Sequence, residues 1–267
     1  MMRRRIAVHV LAALLAAAAV AHADPTDDYV NAQLDAFDLP GLSLAVVRNG
    51  TIVKAGGYGL ADRERQISPT PDTVYKIGSV SKQFIASGIM MLVQEKRLRL
   101  DDRIGQYLDK TPSSWAPITI RQLLSHTSGL VRESPAFSPS KDLSGAELIS
   151  ATHAVPLRFA PGMKWEYSNI GYVTLAEIIS RVMGRPWTEV LSQKIFAPAG
   201  MHATLPTNTT AAVANRAVGY TGRNNERKAD DWVALRASGA YLSTVLDLAK
   251  WEAQLCADEM LSNAPKR

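Results

Sequence analysis

The stretch over residues 79–95 constrains the fold more than any other part of this sequence. Val80, Phe84 and Met91, together with Ile85, Ile89 and Leu92, recur at helical spacing over a face too wide for a surface helix. A helix of that kind is buried on most sides, so the rest of the chain has to build a core around it. The 267 residues suffice for one large domain or two interleaved ones. Cys256 is the only cysteine, so no internal disulfide can assist and packing must carry the stability. It follows Leu248, Trp251 and Leu255, a pattern that predicts a buried small hydrophobe on a helix.

Around this helix the pattern is mixed α and β. An apolar run over 42–47 is followed by Asn49-Gly50 and a second strand-like run from Thr51, which predicts a hairpin. After turn-rich residues 61–73, helices are expected over 79–95, 120–125, 146–152, 170–183, 187–195 and 244–255. Asn169 is the expected cap of the 170–183 helix, and Gly184 ends it. A lone hairpin is marginal in water, so the one over 42–60 must lean on helices or on strands that the pattern does not reveal.

The first residues bear on compartment. A basic start with Arg3, Arg4 and Arg5, an apolar run from Ile6 to Val20 of Ala, Leu and Val apart from His9, and Ala21-His22-Ala23 have the layout of a secretory signal peptide cleaved after Ala23. The run of about 15 residues is short of the roughly 20 that a membrane-spanning helix needs. Residues 24–267 then form the functional domain, periplasmic or secreted, with no stable membrane anchor after cleavage. Removing three arginines from 30 basic residues leaves 27 against 25 acids, so the mature chain is near neutral. The later cluster of Arg223, Arg227 and Lys228 is interrupted by Asn224, Asn225 and Glu226, and nucleic acid is not an expected partner.

Chemistry enters with Ser79-Val80-Ser81-Lys82. With 20 Ser and 11 Lys in the chain, chance supplies about one Ser-x-x-Lys. A second copy, Ser138-Pro139-Ser140-Lys141, sits among prolines and polar residues with nothing to hold Lys against Ser. Ser79 instead opens the buried helix, where residues three apart share a face. A serine hydroxyl is a poor nucleophile until a neighbour takes its proton. Burial near a helix N-terminus lowers a lysine pKa toward that task. The plain alternative is a capping serine and a surface lysine.

A second group is Tyr167-Ser168-Asn169. In an extended segment residues 167 and 169 point to one side and Ser168 to the other. A phenol for proton relay and an amide for a substrate carbonyl would then stand together. The plain reading is a packed tyrosine and a helix cap.

Together these residues resemble the serine β-lactamase and penicillin-binding-protein superfamily, in its class C β-lactamase, D,D-carboxypeptidase and esterase branch. The phrases that carry the resemblance begin with Tyr75-Lys76-Ile77-Gly78-Ser79-Val80-Ser81-Lys82 and Leu123-Leu124-Ser125-His126-Thr127-Ser128-Gly129-Leu130. Pro161-Gly162, Tyr167-Ser168-Asn169-Ile170-Gly171-Tyr172 and Ser238-Gly239-Ala240-Tyr241-Leu242-Ser243-Thr244 follow in family order. The resemblance implies an α+β fold of β-lactamase/transpeptidase type, an antiparallel sheet flanked by helices with a helical region inserted. It implies Ser79 as the acylated nucleophile, Lys82 and Tyr167 as the proton-transfer pair, and Asn169 as a substrate contact. The Ser79 amide would form half of an oxyanion hole, and His126 would be structural.

The family's third motif, Lys-Thr-Gly or His-x-Gly on a strand, does not follow the 238–244 phrase. The chain therefore reads as lacking its C-terminal sheet strands. No Gly-x-Ser-x-Gly elbow and no His-Glu-x-x-His spacing is present. No cofactor or metal is expected. The expected activity is serine hydrolysis, through an acyl-enzyme, of a small-molecule or peptide substrate: an ester, a D-amino-acid peptide or a β-lactam. The competing reading is an exported acyl-binding or sensor protein of the same fold that does not turn over.

Overall fold

The computed structural model describes residues 24–209, 212–230 and 235–257, so the expected signal segment lies outside the described residues. Its elements run α1 (Pro25–Ala36), β1 (Gly41–Arg48), β2 (Thr51–Gly59), β3 (Tyr75–Lys76), α2 (Ser81–Gln94), α3 (Ile120–Leu124) and α4 (Gly145–Thr152). Then come α5 (Asn169–Met183), α6 (Trp187–Leu191), β4 (Leu205–Pro206), β5 (Tyr220–Thr221), β6 (Arg227–Lys228), β7 (Tyr241–Ser243) and α7 (Val245–Cys256).

The hairpin forms where Asn-Gly predicts it. Asn49 and Gly50 take φ of 50° and 74°, the left-handed pair of a type I′ turn. β1 and β2 pair antiparallel from Gly41 opposite Gly59 to Arg48 opposite Thr51, and among the described residues β2 is β1's one strand neighbour. Helices supply the support that a bare hairpin lacks: α1 lies along β2 and α7 packs on β1. Elements α2 to α6 form the helical region between the hairpin and α7.

The wide apolar face of α2 is buried as its pattern requires. Phe84, Ile85 and Ile89 are fully enclosed, packed with Ile170, Leu175, Ile178 and Ile179 of α5. α2 approaches its neighbours closely at Gly88, where an added Cβ would lie 2.7 Å from a Leu191 methyl and 3.0 Å from one of Ile179. Phe84 stands edge-on to Phe196, Trp251 and Tyr241 at centroid distances of 4.9, 5.0 and 5.7 Å. Phe84→Ala should therefore cost about 3–5 kcal/mol, read as a lower urea midpoint at unchanged m-value. A loss below about 1 kcal/mol would mean that the cluster can collapse into the space.

Two small sheets escape the sequence pattern, the two-residue β5–β6 pair and a second that bears on the site. β3, β7 and β4 form a three-stranded antiparallel sheet, with Lys76 and Leu205 both opposite Leu242. Strands of two or three residues are too short to show alternation. This small sheet matters because β3 runs directly into Ser79.

Two expectations are corrected. Ser168, not Asn169, caps α5, its hydroxyl accepting from Gly171 N at 3.1 Å, and Asn169 is the first helical residue. Cys256 is exposed, not buried, because the buried face of α7 is Asp247, Ala249 and Trp251 and the last turn runs past the body of the protein.

Candidate active site

Gly78, with φ of 50°, turns the chain from β3 into a short 3-10 turn over Gly78–Val80 that leads into α2. Two bonds to β7 hold this junction: Ile77 N donates to Tyr241 O at 3.1 Å, and Tyr241 N donates to Ser81 Oγ at 3.2 Å. Lys82, in the first turn of a buried helix, is itself 7% exposed. Its Nζ donates to Ser79 Oγ at 3.1 Å, to Asn169 Oδ1 at 3.0 Å and to Ser238 O at 2.7 Å. Each of the three ammonium N–H groups thus has an acceptor.

The second arm comes from the start of α5. Ser168 turns away as an extended segment requires, donating through Oγ to Val131 O at 2.8 Å. Its neighbours turn the other way, and Tyr167 Oη donates to Ser79 Oγ at 2.7 Å. Gly129 makes the approach of the two site loops possible. Its φ is 79°, an added Cβ would lie 2.2 Å from Phe159 O, and its own carbonyl accepts from Arg158 N at 2.8 Å. His126 lies under Tyr167, with ring centroids 4.6 Å apart, and its Nδ1 accepts from Ser168 N at 3.2 Å. That bond requires the neutral imidazole protonated on Nε2.

The electrostatics follow from this geometry. Burial holds the Lys82 amine below the usual lysine range; Arg236 acts the same way, while Tyr167 and Glu133 oppose it. For Tyr167, burial works upward, but the nearness of Lys82, the bond to Ser79 and the charges of Lys82 and Arg132 outweigh it, leaving the phenol below its ordinary value. Burial, then the Lys82 charge, lowers the His126 imidazole. A hydroxyl between a depressed amine and a depressed phenol is poised to lose and regain a proton.

The structure brings Ser79, Lys82, Tyr167 and Asn169 together. It leaves the second Ser-x-x-Lys apart: Ser138 Oγ is 3.0 Å from Ser140 Oγ, and Lys141 is exposed. Three participants were not singled out in the sequence. Ser238 contributes a backbone oxygen, which no side-chain pattern signals. Glu133 and Arg236 pair with each other beside Asn169, joined from loops about a hundred residues apart in the chain. Among the described residues no His, Cys, Asp and Glu group is arranged to hold a metal ion, and no helix is long and apolar enough to cross a membrane.

The beta-lactamase family profile matches residues 26–266. The putative penicillin-binding protein PbpX of Bacillus subtilis is 30% identical over 223 residues, covering 81% of this chain and 55% of that protein. The chain spans about half the length of the curated relatives it matches. Among solved structures, the D-amino acid amidase of Ochrobactrum anthropi complexed with L-phenylalanine amide superposes with a TM-score of 0.78 at 30% identity, over 87% of this chain and 69% of that one. The octameric penicillin-binding protein homologue of Pyrococcus abyssi superposes with a TM-score of 0.77 at 28% identity, over 88% and 56%. The fold is of the β-lactamase/transpeptidase type.

Proposed function

The chain belongs to the beta-lactamase family, and from that premise we propose that it is a serine hydrolase working through an acyl-enzyme on Ser79. The observation that carries the reading is that Ser79 Oγ lies within hydrogen-bond reach of both Lys82 Nζ and Tyr167 Oη. A neutral lysine amine has two N–H groups and one lone pair. Asn169 Oδ1 and Ser238 O can only accept, so they take the two N–H groups and leave the lone pair to Ser79. Lys82 then removes the Ser79 proton as Oγ bonds to the substrate carbonyl carbon. Tyr167 returns a proton to the departing nitrogen or oxygen, and water releases the acyl group by the reverse transfers.

For substrate we favour small amides and esters of D-amino acids ahead of β-lactams. The likeness to the D-amino acid amidase supports this, as do exposed Val80 beside Ser79 and exposed Trp165 against His126, which offer apolar surface to an acyl or leaving group. The layout of residues 1–23 supports export, with the mature chain beginning at Asp24. N-terminal sequencing of protein expressed in a Gram-negative host checks that start.

The test of function is covalent capture followed by turnover. A fluorophosphonate should label Ser79, and D-phenylalanine amide or a p-nitrophenyl ester should be hydrolysed for many cycles. Labelling should rise with pH through an acid limb below the usual lysine range, because the amine must be neutral to accept the proton. Label on Ser138, or undiminished label in Ser79→Ala, would end the reading. A single stoichiometric acylation without turnover would favour the acyl-binding alternative.

A further inference from the structure

This inference rests on Lys82 as the base that deprotonates Ser79. Glu133 takes no part in that transfer, yet it touches the groups that orient the base. Its Oε2 accepts from Asn169 Nδ2 at 3.1 Å and from the Arg236 guanidinium. A carboxylate only accepts, so the Asn169 NH2 must face Glu133 and its Oδ1 must face Lys82. With the amide turned over, donors would meet at Lys82 and acceptors at Glu133.

The second contact reaches the other acceptor. Arg236 caps the short turn Ala237–Gly239 that carries the Ser238 carbonyl, and its guanidinium lies over the Phe137 ring at 4.2 Å. The Glu133 bond anchors that side chain further. Glu133 Oε1 is buried and has no hydrogen-bond partner among the described residues.

We propose that Glu133 is a positioning residue for acylation: it sets the polarity of the Asn169 amide and, through Arg236, the place of the Ser238 carbonyl, so that the Lys82 lone pair is aimed at Ser79. Several charged or titratable groups share this neighbourhood. They are Lys82 on α2, Tyr167 and Tyr172 at the start of α5, His126 and Arg132 on the loop before Glu133, Arg236 on the opposite turn, and Lys76 on β3 facing Arg236. Within this set the Glu133 charge holds the Lys82 pKa up, and Arg236 pushes it down.

The experiment measures fluorophosphonate acylation against pH for the full chain, Glu133→Gln, Glu133→Asp, Asn169→Ala and the double variant Glu133→Gln/Asn169→Ala. In Glu133→Gln the plateau rate should fall about tenfold, the size of a coupled pair. Its acid limb should move to lower pH, because losing the carboxylate charge leaves burial and Arg236 less opposed at Lys82. Glu133→Asp, which keeps the charge at shorter reach, should restore the acid limb while its plateau stays low. In the Asn169→Ala background Glu133→Gln should cost clearly less than it does alone, the remainder coming through Arg236 and the Ser238 carbonyl. A merely structural Glu133 would reduce the active fraction at every pH and leave the limb in place.

Wild-type acylation with an unmoved acid limb in Glu133→Gln, or losses that multiply in the double variant, overturns the inference alone. A wild-type chain that takes no label on Ser79 overturns the Lys82 reading and this inference with it. Should Glu133→Gln fail to fold, Glu133→Asp with a shifted limb and an undiminished plateau overturns it equally.

Discussion

Lys82→Ala should lower the rate of Ser79 acylation by about 10²–10⁴-fold, the size of a general acid–base term. Among the described residues nothing else in reach can take over. The His126 imidazole spends its Nδ1 lone pair on Ser168 N, and Tyr167 already directs its O–H at Ser79 Oγ. The substitution also changes how the phenol titrates. Part of what holds Tyr167 below its ordinary value is the nearness and charge of Lys82, and burial opposes them. Without Lys82 only the Ser79 bond and the Arg132 charge are left to oppose burial, so the phenol pKa rises and any alkaline limb it sets in the residual activity should move to higher pH. Stopped-flow labelling across pH, with circular dichroism to establish the fold, measures both effects. Acylation within tenfold of wild type would remove Lys82 from the role of base, however good its geometry.

How much of this site could be read from the sequence depends on how local each contact is. Ser79 and Lys82 are three apart, and the apolar pattern after them says that the helix is buried; Ser79 stands in the 3-10 turn before α2, not on the helix, but that turn runs straight into α2 and keeps the two side chains together. Tyr167 and Asn169 were legible as a pair facing one way. The reason differs from the one the pattern offered, because Ser168 takes the cap and Asn169 begins the helix. The hairpin at Asn49-Gly50 and the stop at Gly184 were equally plain, since the turn needs two left-handed residues and the helix end needs one. The β3–β7 pairing that aims Ser79 was not legible. It joins Lys76 to Leu242 across a gap far longer than any periodicity can span. Glu133 and Arg236 were missed for the same reason, and a charged residue in a loop looks solvated until its partner is known. Cys256 failed in the opposite sense: the apolar spacing continued for a turn beyond the surface that α7 covers.

Tyr167→Phe is the second change expected to have a large effect, and it is the cleaner test because it removes one oxygen and leaves the packing. The ring keeps its place over His126 at 4.6 Å and beneath the Lys82 amine at 4.7 Å, so folding stability should change little. What disappears is the hydroxyl 2.7 Å from Ser79 Oγ. If that hydroxyl protonates the leaving group, amide substrates should lose about 10²–10⁴-fold in acylation. Activated aryl esters, whose leaving groups need no proton, should lose much less. The pH profile gives an independent reading. Tyr167 opposes the fall of the Lys82 pKa, so its loss should let the acid limb slide to still lower pH. If the phenol must be protonated to serve the leaving group, its ionisation sets an alkaline limb on amide substrates, and that limb should vanish from the profile. Equal losses on amide and aryl ester would assign Tyr167 to Ser79 activation instead of leaving-group protonation. Wild-type rates on both, with the alkaline limb intact, would return it to the role of a packed aromatic residue.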